Sequence, residues 1–391
     1  MIPSDPSASR VAFPAASAEL ASPASPNAGS APHTAASPSS LPDRIGVRQA
    51  RARFRGGRGY LAACTFGLPT RETEVALRAD ADAWALGTAS AAGYAATVER
   101  VRLAYSKLVA VPVRQVAIGS QASVLAGLVA TSVPDGAEVL CVDGDFSSMV
   151  FPFLNQAHRG VTVRHLPLAE LAAGITADTW LVAWSLVQSA TGVIADTAGI
   201  VAAARAHGSF TLCDTTQAAG WMPVDASIFD VTICHSYKWL CAPRGVAFLT
   251  VAENLATRLN PVQAGWYAGQ DPWTSCYGPA MELATDARRF DVSPAWNAWI
   301  GAEPALELFG RLDLADVRDH AVALGDAFCA GLDLAPAGQA IVTWPDADGA
   351  DLDRLTRAGL TASGRAGRAR VAFHLWNDQQ DVTDALRALR R

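Results

Sequence analysis

Lysine is almost missing from this chain. Of 31 basic side chains in 391 residues, only Lys107 and Lys238 are lysine, and the rest are arginine. A guanidinium does not release its proton, so it cannot serve as a nucleophilic amine or a proton shuttle. Each lysine therefore asks for its own explanation. Paired cysteines are missing too: the seven thiols at 64, 141, 213, 234, 241, 276 and 329 include no CxxC pair and sit mostly in apolar runs. That excludes a disulfide framework and predicts reduced, buried thiols in a cytoplasmic protein. No apolar run reaches the ~18 residues of a membrane span. No Lys/Arg block suggests a nucleic-acid surface, and a net charge of −6 with pI near 5.6 points the same way. Neither a GxGxxG turn nor an acidic residue at the matching spacing follows the first strand, which disfavours a nicotinamide-binding enzyme.

Half of the chain is hydrophobic and 17% is charged, enough for a large core. Residues 1–43 are rich in Pro, Ser and Ala without helical or strand periodicity, and are expected to be a disordered tail. They lack the basic start and apolar run of a secretory signal. Helices are predicted over 72–86 and 92–109. Strands are predicted over 114–118, 138–142, 161–166, 180–184, 210–213, 230–234 and 246–251, with helices over 122–132, 147–158 and 196–207. Apolar strands alternating with helices predict an α/β fold with a mostly parallel seven-stranded sheet covered on both faces. An aromatic connector fills 261–297. Helices near 299–311 and 314–332, strands 340–344 and 370–375, and helices 350–358 and 379–390 then suggest a smaller C-terminal α+β domain. The expected division is a tail over 1–43, a large domain over 44–260, and a connector with small domain over 261–391.

Chemistry gathers at the strand ends. Gly119-Ser120-Gln121-Ala122-Ser123 opens a helix after a strand, where small residues and the helix dipole favour an anion. Asp214 ends the strand FTLCD, with Gln217 three residues on; in isolation such an Asp reads as a helix N-cap. Lys238 follows the strand DVTIC within His-Ser-Tyr-Lys-Trp-Leu, an uncharged aromatic setting in which burial would lower its pKa. Lys107 lies in a polar helical stretch and reads as a surface lysine. Phe146, after strand 138–142, reads as core or as cover for a flat ring.

The order of phosphate turn, aromatic, polar strand end (Ser185 to Ser189), Asp-x-x-Gln and Ser-Tyr-Lys resembles the class V aminotransferase family of pyridoxal-phosphate enzymes, from about Tyr60 to the C-terminus. The resemblance implies fold type I, with pyridoxal 5'-phosphate held as a Schiff base on Lys238, Asp214 on the pyridine nitrogen, Gln217 on the phenolic oxygen and Phe146 over the ring. Ser120, Gln121, Ser123, His235 and Tyr237 would bind the phosphate, with Ser189 a further cofactor contact. The family usually has a histidine at the stacking position; Phe146 is closer to the kynureninase-like branch. ArgPheAspValSerPro matches a family region that reaches the partner subunit's site, placing Ser293 there and implying a homodimer with sites at the interface. Arg370 matches the arginine that grips the substrate carboxylate, with Arg368 sharing its face.

A cysteine desulfurase would need a mobile cysteine shortly before that arginine, but residues 361–369 contain none. Transamination through a quinonoid intermediate is the leading expectation. Carbon–sulfur or carbon–carbon lysis, epimerisation and, more remotely, cofactor binding without turnover remain open. The substrate expected is a free amino acid or a close derivative.

Overall fold

The computed structural model describes residues 43–390, so the expected tail lies outside it except for Asp43. Seven strands build the main sheet: β1 (Val116–Gly119), β2 (Glu138–Val142), β3 (Thr162–Leu166), β4 (Thr179–Ser185), β5 (Phe210–Asp214), β6 (Val231–His235) and β7 (Ala247–Val251). Their order is β1-β7-β6-β5-β4-β2-β3. Only the two pairings made by β7 are antiparallel; the other four are parallel. The carboxyl ends of β1, β2, β4, β5 and β6 therefore share one edge.

The apolar strand sequences explain this arrangement. Alternate residues of one strand enter cores on opposite faces. Val182 and Trp184 of β4, Cys213 of β5 and Cys234 of β6 join one core. Leu181, Ala183, Leu212 and Ile233 join the other. Strand β3 is the exception, a half-exposed edge, and Arg164 covers it by pairing with Glu138 at 2.9 Å.

Helices begin where side chains can cap them. Thr70 Oγ1 accepts the Thr73 amide ahead of Arg71–Ala85, and Asp196 Oδ1 accepts the Gly199 amide ahead of Thr197–His207. In the main sheet and the helices between its strands, two boundaries differ from expectation by more than one residue. The first strand starts at Val116, because residues after Pro112 form a 3₁₀ turn. The helix expected over 147–158 ends at Leu154 and gives way to a second 3₁₀ turn over Ala157–Arg159. The helix Trp296–Gly310 packs on Arg71–Ala85 and Ala91–Leu108.

A second sheet has β8 (Ile341–Pro345), β9 (Ser363–Arg365) and β10 (Arg368–Ala372) in the order β8-β10-β9, wholly antiparallel. The strand expected over 370–375 thus starts two residues earlier and ends three residues earlier, and β9 is an additional strand. Segment 59–62 is stitched to this region: Thr361 N–H donates to Gly59 O, Ala372 N–H to Leu61 O, and Gly59 N–H to Asp381 Oδ1, each at 2.8 Å. Just before it, six arginines crowd residues 44–58. Five of them form ion pairs with acids of later helices or their caps, including Arg51 with Asp378 and Arg55 with Glu74, both at 2.6 Å. Among the described residues, no helix is long and apolar enough to cross a membrane.

Candidate active site

A cleft of about 520 Å³ opens at the shared strand edge, where ligands of open α/β sheets bind. Lys238 lies in the loop between β6 and β7 and is only 6% exposed. Its Nζ is 5.5 Å from the Phe146 ring centroid and 5.7 Å from that of Tyr237. Burial lowers its pKa to about 8, against the opposing pull of the Asp214 carboxylate. Lys107 is exposed, as a surface lysine should be.

Asp214, the last residue of β5, also lines the cleft. It caps no helix: its Oδ1 accepts the Thr216 amide at 2.9 Å within a turn. Burial raises its pKa, while Thr216 and Lys238 act in the opposite sense. Gln217 is anchored at both ends of its amide. Its Nε2 donates to Cys64 O at 2.9 Å and Ser189 Oγ at 3.1 Å, and its Oε1 accepts Trp239 Nε1 at 2.8 Å.

Phe146 stands at the cleft, 44% exposed, at the start of the helix Ser147–Leu154. The residue before it fixes it there. Asp145 Oδ1 accepts the Phe146 amide at 2.7 Å and the Ser185 hydroxyl at 2.6 Å, while Oδ2 accepts the Ser185 amide at 2.8 Å. Asp145 carries no motif in the sequence, and only the fold brings it to the end of β4.

Gln121, Ala122 and Ser123, where the helix Ala122–Thr131 begins, also line the cleft. His235, Tyr237 and Arg244 line it as well. His235 Nε2 is buried without a hydrogen-bond partner, and burial lowers the ring's pKa to about 4. The Arg244 guanidinium sits 4.4 Å from the Tyr237 ring centroid. Ser120 is not among the lining residues, and Ser293 is exposed and does not line the cleft within one chain. Ser185, from the polar strand end, lines it too, and Ser148, Thr216 and Arg244 line it without having been singled out in the sequence.

Arg370, on β10, is 1% exposed and reaches the cleft edge through Ser189. Its Nη1 donates to Ser189 O and, at 3.3 Å, to Ser189 Oγ; Nη2 donates to Thr65 Oγ1 at 2.9 Å, and Nε to Ser363 Oγ at 3.0 Å. Those acceptors are all neutral, and burial lowers its pKa. A buried cation with only neutral partners is costly until an anion joins it. Arg368 turns the other way, donating to Thr343 Oγ1 at 3.1 Å and Thr343 O at 3.0 Å.

These residues suit a flat cofactor that carries a phosphate and an aldehyde. A helix start, an unpartnered buried imidazole and an arginine line the same cleft as a buried amine and a buried carboxylate. Known proteins agree with that fit. The family model for aminotransferase class V matches residues 96–349. A kynureninase of Deinococcus radiodurans is 31% identical over 256 residues, covering 63% of this chain and 62% of its own length. An uncharacterized aminotransferase of Bacillus subtilis, YcbU, is 27% identical over 308 residues, covering 74% and 82%. Among solved structures, a mutant of the cystine C-S lyase C-DES with glycine linked to its PLP cofactor superposes with a TM-score of 0.79 at 21% identity, covering 87% of this chain and 98% of that one. The cysteine desulfurase CsdA of Escherichia coli gives 0.76 at 17% identity, covering 88% and 98%. The chain belongs to the class V aminotransferase family of pyridoxal-phosphate-dependent enzymes.

Proposed function

We propose that this enzyme binds an α-amino acid through its carboxylate at Arg370, moves the Cα proton with Lys238, and is aminotransferase-like in its reaction. The observation that carries the reading is the burial of Lys238, one of only two lysines, beside a buried carboxylate and within reach of a buried arginine whose partners are all neutral. When bound, pyridoxal phosphate supplies an electron-accepting ring for charge developing at Cα. The chain supplies the rest. Asp214 would hold a proton on the ring nitrogen, and Phe146, held by Asp145, would be the aromatic against the ring. Ser123, His235 Nε2, Tyr237 and Arg244 bind the phosphate end with the helix start. Arg370 would hold the substrate carboxylate and so orient the amino acid toward the cofactor. Burial lowers the pKa of Lys238 Nζ to about 8, where the amine can both take and return a proton. Gln217 has less freedom than the family resemblance implied, because both ends of its amide are engaged within the protein.

In this reading the enzyme is a homodimer, with Ser293 and the exposed connector aromatics Trp273 and Tyr277 turned toward the partner subunit. The β9–β10 hairpin has no cysteine, and Cys329 is buried in the helix Leu314–Gly331, so persulfide transfer is not part of the proposal.

Borohydride reduction followed by peptide mass mapping tests the assignment. The peptide containing Lys238 is expected to gain one reduced cofactor, and Lys238→Ala to gain none. A mass gain on another peptide, or on none, overturns it. Keto acid, ammonia and sulfide measured across an amino-acid panel then separate transfer from elimination.

A further inference from the structure

The hairpin that presents Arg370 carries two more arginines to which the proposed chemistry gives no task, Arg365 and Arg368, and Arg368 is held by the Thr343 hydroxyl and carbonyl. Ser363 and Arg365 are two residues apart on β9, so their side chains share a face. Ser363 stands opposite Arg370 in the register, and its Oγ accepts Arg370 Nε at 3.0 Å. Arg365 thus extends the Arg370 face by one step, about 6.5 Å along the strand. It is exposed, and Nη1 donates to the neighbouring Gly364 O at 2.7 Å. Among the described residues no carboxylate pairs with it, whereas Arg354 and Arg357 of the preceding helix both have acidic partners. Its charge is felt inside the cleft, where it helps to lower the pKa of Lys238 and of Arg370.

The ligand charges can be assigned one by one. Arg244 and the helix start face the phosphate, Asp214 faces the ring nitrogen, and Arg370 takes the α-carboxylate. Of the two other cations on the Arg370 face, Arg368 is held by Thr343, and Arg365, whose one partner is its neighbour's carbonyl, is left over. An unmatched positive charge beside a cleft selects a ligand with one more negative charge.

We propose that Arg365 binds a second anionic group at the far end of the substrate side chain, making amino acids with a distal acid the substrate class. The proposal rests on the reading of Arg370 as the α-carboxylate site. It also gives the hairpin a role that needs no cysteine: it recognises the substrate's side chain instead of reacting with it.

The test measures equilibrium binding to the pyridoxal-phosphate-loaded enzyme by calorimetry. The ligands are 2-methylglutamate and 2-methylnorvaline, which lack the Cα hydrogen and differ chiefly in the distal carboxylate. The wild type is expected to prefer 2-methylglutamate by about tenfold. Arg365→Ala should remove that preference and leave the 2-methylnorvaline affinity unchanged, while Arg365→Lys should keep part of it. Added salt should narrow the preference. The proposal falls if the wild type shows no preference, or if the preference survives Arg365→Ala. Arg370→Ala should weaken both ligands alike; if it weakens neither, the assignment of Arg370 itself fails and this proposal fails with it.

Discussion

Two lysines of equal intrinsic basicity part company in this fold. Lys107 stays in water on the helix Ala91–Leu108, while Lys238 is buried and its pKa falls to about 8. Below that pH the Lys238 amine holds its proton and cannot attack a carbonyl; above it the amine is free. In the cofactor-free protein, the rate of pyridoxal-phosphate capture, followed by absorbance, should rise about tenfold per pH unit up to pH ~8 and then level off. A rate unchanged between pH 6 and 9 would contradict this. The oddity of Lys238 can be counted in the sequence, because it concerns residue type. The parts played by Asp145, Arg244 and Thr65 cannot be. Asp145 acts through the Ser185 amide and hydroxyl, and Thr65 through a guanidinium 305 residues away. Neither partner leaves a local mark beside the residue it serves.

Elements were legible where burial on both faces wrote an unbroken apolar run, as in β2, whose bounds match the expectation of 138–142. Legibility faded where contact replaced pattern. Strand β9 is three residues long, half-exposed and paired only to β10, so its sequence has no period to show. The loop before Arg71–Ala85 is similar: its position depends on a single close approach. Gly67 N–H donates to Tyr237 O at 2.8 Å, and a Cβ on Gly67 would stand 2.0 Å from Lys238 O. Only glycine lets this loop lie directly on the lysine loop. Gly67→Ala should therefore push the Lys238 backbone aside. The expected cost is about 1–3 kcal/mol of stability in urea unfolding, with weaker cofactor retention on dialysis. A variant that keeps wild-type stability and cofactor content would show that the loop yields at no cost.

Across the whole molecule, the two ends of the described chain are fastened together close to the site. Asp381, fully buried at the start of the helix Gln379–Leu389, accepts the Gly59 and Asp378 amides at 2.8 and 2.9 Å. Six residues after Gly59, Thr65 meets Arg370. Asp381→Ala leaves both amides without their acceptor and should lower stability by about 2 kcal/mol, measured by chemical denaturation. A loss below about 0.5 kcal/mol would mean that water replaces the carboxylate. The antiparallel course of β7 has a consequence of its own. The chain leaves the sheet at His235, turns through the lysine loop and comes back at Ala247 on the adjacent strand, so both feet of the loop stand on a single rung of the ladder. Such an arch has almost no freedom to swing, and the travel of the amine during a turnover is limited to what four methylene groups allow.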